Sequence, residues 1–328
     1  MKIIVDTCGG DNPQLIIKGI KQAIDEIDDI SVIAVGCKAD IEAVLKDEIF
    51  DRSRLEIVNA TEQITNADSP VNAIRTKKDS SLVVSYKTLK EDDSIVGLIS
   101  AGSTGAVITG ACLLLGRIQG VERPTLLTVL PTINNKNVCI ADCGANVDSR
   151  ASQLLQYAVL GNAFMASAFN VENPRIGLMS VGTEDEKGNL VTKEAFTLLK
   201  ESGLNFTGNM EGKTLLSGQV DVVVCDGFVG NVVLKTVESA THSAVKIFID
   251  YLMKNADKNA DLSFVNKSVS EFMGDYDFNK NGCAILIGTK KPIMKLHGSS
   301  TSGAVVYACK QLKNMANGRL IDRINERI

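Results

Sequence analysis

Short runs of β-branched and aliphatic residues recur along this chain, and most of them end in Gly or Asp. These runs cover residues 2–6, 31–36, 55–60, 94–100, 125–132, 137–144, 175–182, 220–227 and 284–288. Amphipathic segments of helical period lie between most of them, for example residues 13–27 and 153–169. This alternation predicts an α/β fold with a largely parallel sheet and flanking helices. Such sheets bind ligands at the carboxyl ends of strands, so residues just after each run are the first site candidates.

Composition limits the class of protein. The chain has 328 residues, of which 45% are hydrophobic and 23% charged, so it can bury a large core and is not expected to be disordered. No linker or fixed-period repeat divides it. We therefore expect one domain over residues 1–328, with room for two lobes around a cleft.

Cysteine usage and hydropathy predict a compartment. The eight cysteines lie scattered in apolar runs, which is typical of reduced thiols in a cytoplasmic protein. Cys139 and Cys143 are the only close pair, and because no second Cys/His pair follows, we expect no metal site. No apolar stretch approaches the roughly 20 residues that cross a bilayer, and the amino-terminal run is too short for a signal peptide. The expectation is a cytoplasmic protein with at most peripheral membrane contact.

Charge is unevenly distributed. The net charge is −4, yet residues 290–328 carry eight Lys or Arg against two acidic residues. The asymmetry fits a surface that meets an acidic partner, and it fits a solvated helical tail equally well. Nucleic acid is not an expected partner, because the chain has no Trp and no known binding motif.

The run ending at residue 100 is followed by small residues and then an apolar helical segment. The small residues are Gly102, Ser103, Thr104 and Gly105. Glycine lets the backbone approach a ligand, and a helix start offers N–H groups to an anion. A small-residue turn is also common packing. The segment matches neither the P-loop nor the GxGxxG pattern, so nucleotide binding is not predicted.

Two further strand ends are polar, at residues 142–148 and 225–231. Each puts a carboxylate, Asp142 or Asp226, at the end of a strand, followed by Gly and an Asn that can hydrogen-bond a ligand. The site candidates here are Asn146, Asp148, Asp226 and Asn231. Capping the next helix is the commoner role for a single such Asp. Three glycine-containing polar ends in one sheet nevertheless favour a shared pocket.

Charged segments supply three more candidates. Lys187 lies in the loop 181–189, which is either exposed or positioned to bring positive charge into a cleft. A further strand-to-helix junction offers His297, Ser299 and Ser300 as anion donors. The basic run 75–81 is predicted to be helical, and it is either a solvated face or a patch that attracts anions.

Eight motifs in this order resemble those of the bacterial phosphate acyltransferases, which convert acyl carrier protein thioesters to acyl phosphates in phospholipid synthesis. They are DTCGGD (6–11), NAIRTKKDSS (72–81), SAGSTGA (100–106), LGRIQGVERP (115–124), DCGANVD (142–148), EDEKGN (184–189), VCDGFVGNVVLKT (224–236) and HGSS (297–300). The chain departs from the family pattern at Cys8, Asn12, Ser103 and 289–294. These departures weaken any essential role for position 12 or for a side-chain amide at 103.

The resemblance implies a fold similar to the isocitrate/isopropylmalate dehydrogenases and the phosphotransacetylases, a homodimer and no cofactor. It implies acyl carrier protein and inorganic phosphate as substrates, and a membrane glycerol-phosphate acyltransferase that receives the product. Alternatives are a phosphotransacetylase-like enzyme that uses acyl-CoA and a non-catalytic acyl- or phosphate-binding regulator. A metal- and NAD-dependent dehydrogenase is disfavoured, because clustered aspartates and an adenine-binding loop are missing from the sequence.

Roles follow for the candidate residues. Lys187 is expected to stabilise negative charge, while Asp226 and Asn231 orient groups or handle protons. The expected substrate-binding residues are Gly102, Ser103, Thr104, Gly105, Asn146, Asp148, His297, Ser299 and Ser300, and no metal ligand is expected.

A helical hairpin is predicted over residues 231–256 and 260–274. On the first helix, Val245, Phe248, Ile249 and Leu252 are expected to form an intramolecular or dimer interface. At the tip, apolar and basic residues are expected to contact an anionic membrane surface, where the lipid-like product is released. They are Leu262, Phe264, Val265, Val269, Lys254, Lys258 and Lys267.

Overall fold

A computed structural model describes residues 1–255, 263–275 and 283–328. Within these residues, eleven strands form one sheet in the order β3-β2-β1-β4-β11-β10-β5-β6-β9-β7-β8. The strands are β1 Lys2–Asp6, β2 Ser31–Gly36, β3 Leu55–Asn59, β4 Ile95–Ser100, β5 Thr125–Pro131, β6 Asn137–Ala141, β7 Ile176–Met179, β8 Phe206–Met210, β9 Val222–Val224, β10 Cys283–Ile287 and β11 Ile293–Leu296. The predicted α/β fold is confirmed.

Helices cover both faces of this sheet. They are α1 Pro13–Glu26, α2 Lys38–Leu45, α3 Pro70–Thr76, α4 Ser81–Glu91, α5 Thr104–Gly110, α6 Ala151–Phe169, α7 Leu190–Glu201, α8 Gly227–Asn255, α9 Ser263–Asp275, α10 Ser302–Asn317 and α11 Leu320–Asn325. Shorter helical turns cover Arg52–Arg54, Ala111–Leu115 and Gly212–Ser217. One face packs against α1, α2, α6, α7, α10 and α11, and the other packs against α3, α4, α5 and the first turns of α8.

Strand direction divides the sheet into two parallel halves. Strands β3, β2, β1, β4 and β11 run parallel to one another, as do β6, β9, β7 and β8. Three antiparallel pairings, β11–β10, β10–β5 and β5–β6, connect these halves. Because three reversals separate them, the halves run in opposite directions. The polar segment after β4 and those after β6 and β9 therefore leave the sheet in opposite directions.

The nine predicted strand runs all contain strands, and the sequence reading omitted two others. Strand β8, with the sequence FTGNM, carries Gly and Asn, which are depleted in strands. Strand β11, with the sequence IMKL, follows a Lys-rich turn and has only four residues.

Two helical predictions need correction. Residues 75–81 are not one helix, because α3 ends at Thr76 and Ser80 starts α4 by accepting a hydrogen bond from Val83 N. The long helix begins at Gly227 rather than 231, since Asp226 accepts a hydrogen bond from Val229 N at its start. In the part of the chain that the structure describes, no helix has the length and apolar character needed to cross a membrane.

Candidate active site

Three loops that follow β1, β4 and β11 pack against one another. They comprise residues 7–11, 101–105 and 297–300, and we call them the first loop cluster. Asp11 N donates a hydrogen bond to Gly298 O at 2.7 Å. A Cβ on Gly9 would lie only 2.4 Å from Gly102 N, so the first two loops can touch only with glycine at position 9.

A buried carboxylate fixes the base of this cluster. Asp6 accepts hydrogen bonds from Ser81 Oγ at 2.6 Å, Ser100 Oγ at 2.7 Å and Cys8 N at 3.2 Å. Burial raises the pKa of the Asp6 carboxyl group, and these hydrogen bonds oppose that shift. Asp6 therefore ties the ends of β1 and β4 to the start of α4.

A second loop cluster is formed by the loop after β6, residues 142–148, and by residues 225–231, which run from the end of β9 into the first turn of α8. The buried Asp142 carboxylate accepts five hydrogen bonds of 2.7–3.2 Å, from the backbone N–H groups of Leu126, Gly144, Ala145 and Asn146 and from Asn146 Nδ2. A Cβ on Gly230 would lie 1.9 Å from Asp142 O, so only glycine fits there. Asp142 therefore organises the loop and is saturated by protein donors.

A cavity of about 160 Å³ lies between the two clusters. We call it the smaller cavity. It crosses the face of β5 and β10, where the two halves of the sheet meet. Residues that follow strands of both halves can therefore line the same cavity. Its walls include Thr104 and His297 from the first cluster, Gly144 and Asn231 from the second, and Thr128 and Lys295 from the strands between them.

Lys295 is a charged wall residue that was not among the site candidates predicted from the sequence. It is half-buried on β11, and burial lowers the pKa of its ammonium group to about 8, while Asp6 and Asp11 oppose the shift. In the sequence it lies in the basic carboxyl-terminal region, where it resembles a surface residue. The sequence feature that could have identified Lys295 is its position as a lone Lys inside the apolar run IMKL, directly before the predicted strand-to-helix junction at His297.

A larger cavity, of about 490 Å³, lies on the other side of the first turns of α8. Asp148 and Asp226 lie in its wall with Ser180 and Asn189, and its apolar wall residues include Leu154, Met179, Val181, Val191 and Val229. Asp226 Oδ1 accepts a hydrogen bond from Val229 N at 2.8 Å, so this oxygen caps α8. Lys187 is exposed and is not a wall residue of either cavity, although its neighbour Gly188 lines the larger one.

The structure divides the predicted site residues into groups. Thr104, Asn231 and His297 line the smaller cavity, and Asp148 and Asp226 line the larger one. The strand-end reasoning therefore identified residues of both cavities, but it did not separate them.

The remaining candidates surround these cavities. Asn146 Nδ2 donates to Pro124 O at 2.9 Å and to Asp142, so this amide supports the second loop cluster. Ser299 Oγ lies 2.8 Å from His297 Nδ1 and fixes the orientation of that ring. Ser300 Oγ is buried and has no hydrogen-bond partner in the described part of the chain.

The glycine-rich turn before α5 behaves differently at each position. Gly102 N donates to Ser100 Oγ at 3.1 Å, and Gly105 packs against Pro70. Ser103 precedes α5 without a side-chain capping bond, so its hydroxyl group is not committed to the helix. Only Thr104 of this turn reaches the smaller cavity.

Comparison with known proteins identifies the family. The family model described as "Fatty acid synthesis protein" matches residues 1–323. The phosphate acyltransferase of Thermoanaerobacter pseudethanolicus is 40% identical over 329 aligned residues, which cover 100% of this chain and 97% of the relative. The chain belongs to the phosphate acyltransferase family. It is therefore an acyltransferase. A phosphate acyltransferase from Bacillus licheniformis is also 40% identical, and the alignment covers 100% of this chain and 98% of that protein.

Solved structures agree on the fold. A phosphotransacetylase from Streptococcus pyogenes superposes with a TM-score of 0.63 at 17% identity, covering 98% of this chain and 94% of that one. A branched-chain phosphotransacylase from Enterococcus faecalis superposes with a TM-score of 0.55 at 13% identity, and the match covers 96% of this chain and 99% of that one. The predicted phosphotransacetylase-like fold of this family member is confirmed.

Proposed function

We propose that this acyltransferase moves a fatty acyl group from an acyl carrier protein thioester to inorganic phosphate, producing an acyl phosphate for phospholipid synthesis. The observation that carries the proposal is the pair of cavities on either side of the start of α8. One is small, with the Lys295 ammonium group and polar side chains such as Thr104 and Asn231 in its wall, and the other is about three times larger, with several aliphatic side chains in its wall. These match a phosphate ion and an acyl chain, respectively.

The chemistry needs no covalent enzyme intermediate. A phosphate oxygen attacks the thioester carbonyl carbon and forms a C–O bond and a tetrahedral oxyanion. Collapse of the oxyanion breaks the C–S bond, and the electron pair leaves with the carrier thiolate. Holding both reactants in line contributes up to about 7–11 kcal/mol. The protein must therefore position phosphate, stabilise the oxyanion and exclude water.

Residue roles follow from position. Asn231 Nδ2 makes only a long hydrogen bond of 3.4 Å to Cys143 O, so this amide can turn toward a ligand in the smaller cavity. Asp226 has its second carboxylate oxygen available at the larger cavity and orients the donor. Lys187, on a flanking exposed loop, supplies positive charge to the oxyanion when substrates are bound. Thr104 and His297 contact phosphate, with Ser103, Ser299 and Ser300 in support.

The donor is tested directly by incubating the pure protein with phosphate and either acyl carrier protein thioester or acyl-CoA. Formation of acyl phosphate from the carrier thioester supports the proposal. The fold similarity to a phosphotransacetylase favours acyl-CoA as the second candidate donor. Acyl phosphate from acyl-CoA alone would select that candidate, and none from either donor would favour a binding regulator.

We also propose a cytoplasmic homodimer with peripheral contact to anionic membranes and release of product to a membrane glycerol-phosphate acyltransferase. Beyond Leu234, α8 exposes large apolar side chains, such as Phe248 at 58% and Tyr251 at 65%. A second copy would cover this helix.

Phe264 on α9 is 76% exposed and suits a membrane surface. Leu262 and Lys258, which were also predicted to contact the membrane, lie outside the described residues. We further propose that residues 1–328 form a single domain.

A further inference from the structure

Lys295 is a partly buried cation whose partner is not evident. Its Nζ donates a hydrogen bond to Leu296 O, and an ammonium group has three donors. Among the described residues, no carboxylate oxygen lies within 4.0 Å of this Nζ, and Asp6 and Asp11 act on it only from farther away. Because charges that are partly removed from water are normally paired, this ammonium group is suited to binding an anion.

Lys291, four residues earlier, provides the contrast. It is also half-buried, and burial lowers its pKa as well. Its Nζ, however, donates to Leu89 O at 2.8 Å and to Asp92 O at 2.7 Å, and it lies 4.0 Å from Asp93. Lys291 also lines a cavity, of about 270 Å³, but its ammonium group is satisfied by the protein, while that of Lys295 has a single backbone acceptor among the described residues.

The other charges around the smaller cavity do not replace a ligand. Lys235 on α8 pairs with Glu238 at 2.7 Å, and both residues lie in the wall. The Asp6 carboxylate is engaged by Ser81 and Ser100. A volume of about 160 Å³ is smaller than the roughly 300–1,000 Å³ typical of organic ligands, and it suits a small anion.

We propose that Lys295 is the cationic contact of the phosphate nucleophile and binds it in the smaller cavity beside Thr104 and His297. This inference rests on the proposed function, because it assigns the phosphate of that reaction to one cavity and one ammonium group. A charge-assisted hydrogen bond from Nζ holds the phosphate, and the acyl chain lies across the start of α8 in the larger cavity.

Proton loss from Lys295 gives the site a pH dependence. Its pKa is lowered to about 8, so the cation is present below that pH and is lost as pH rises through it. Cys143 and Cys283 also face the cavity, and burial raises both of their pKa values to about 12, so neither thiol ionises in this range. The remaining titratable groups here are Asp6, Asp11, Lys235, Glu238 and His297.

The first test compares Lys295→Met with Lys291→Met in steady-state assays of acyl phosphate formation. We expect Lys295→Met to raise KM for phosphate by about 10- to 100-fold, as loss of a charged hydrogen bond predicts, with little change in KM for the acyl donor. Lys291→Met, which removes another half-buried lysine from the same segment, should leave KM for phosphate within about twofold of the wild-type value. Equal effects of the two variants on KM for phosphate would overturn the inference.

The second test uses Lys295→Arg, because guanidinium stays protonated at every accessible pH. Wild-type kcat/KM for phosphate should fall above pH 8. Lys295→Arg should bind phosphate more tightly than Lys295→Met does, and its kcat/KM for phosphate should stay constant to a higher pH than that of the wild type. Phosphate ionises in the same way in both assays, so a difference between the two pH profiles reports the ionisation of Lys295. Identical high-pH limbs, or an Arg variant no better than the Met variant, would contradict the assignment.

Inorganic phosphate alone separates this inference from the proposed function. Phosphate should raise the melting temperature of the wild type and not that of Lys295→Met, without any acyl donor present. If no donor yields acyl phosphate but this protection persists, the reaction proposed above is wrong and the phosphate site stands. If acyl phosphate forms and both proteins are protected equally, the reaction stands and the site is wrong.

Discussion

The two cavities beside α8 differ in how the sheet builds them. The larger lies at the carboxyl ends of β7 and β9, which are parallel neighbours, and so obeys the usual rule for ligand sites in α/β sheets. The smaller crosses the face of β5 and β10, where the antiparallel pairings join the two halves. A site between opposed halves can draw on both loop clusters, and a site within one half draws on a single cluster.

The start of α8 is the element common to both cavities. Val229 faces the larger cavity, and Asn231, two residues later, faces the smaller one. If the acyl chain and phosphate bind as proposed, their reaction occurs across this turn. Substitutions that act on one cavity should change the kinetics of one substrate, and substitutions at the junction should change turnover itself.

The largest expected effect is on turnover, from Lys187→Ala. Loss of a group that stabilises the developing oxyanion lowers kcat by about 10²- to 10³-fold. The side chain is exposed, so the melting temperature should not change. Lys193→Ala, an exposed lysine on α7, is the matched control and should keep wild-type kcat. A folded Lys187→Ala enzyme with near-normal kcat would contradict the role proposed for this lysine in stabilising the oxyanion.

The next effect is on stability, from Asp142→Asn. An amide offers one acceptor oxygen where the carboxylate accepts five hydrogen bonds, so some N–H groups lose their partner. We expect the free energy of unfolding to fall by about 1–3 kcal/mol in urea titrations. Asp226→Asn is the control, because Asn caps a helix as well as Asp does and should leave stability nearly unchanged. Equal stabilities of the two variants would mean that Asp142 does not organise the second loop cluster.

Much of this architecture is readable from sequence, because strand runs, turn glycines and amphipathic helices are local patterns. Strand-end reasoning identified Thr104, Asn231 and His297, which all reach one cavity. Strand order and direction depend on pairings between distant segments, so the opposed halves and the central position of the smaller cavity were not predictable. Lys295 was missed for the same reason, since its burial depends on β10 and on the first loop cluster rather than on its own neighbours.

A moderate effect is expected on one substrate only, from Val191→Phe in the wall of the larger cavity. The added volume removes room for about two methylene groups, each worth about 0.8 kcal/mol of burial, so KM for a long-chain donor should rise about tenfold. KM for a short-chain donor and KM for phosphate should stay close to the wild-type values, because the smaller cavity is untouched. Equal increases for long- and short-chain donors would show that the acyl chain does not occupy this cavity.

The smallest effect on turnover is expected from Val265→Glu combined with Lys267→Glu on α9, because neither residue lies in the wall of either cavity. In the proposed reaction, phosphate reaches the smaller cavity from water, whereas the acyl phosphate product is lipid-like and is best released at a bilayer. The double substitution places acidic groups on the surface that we propose faces the membrane, so attraction to anionic headgroups becomes repulsion. Sedimentation with anionic liposomes should be lost, while activity with soluble substrates and the proposed dimer, checked by light scattering, should remain. If the variant still sedimented, the contact would lie elsewhere, with the basic region 290–328 as the next surface to test. If it became monomeric, α9 would belong to the dimer interface instead.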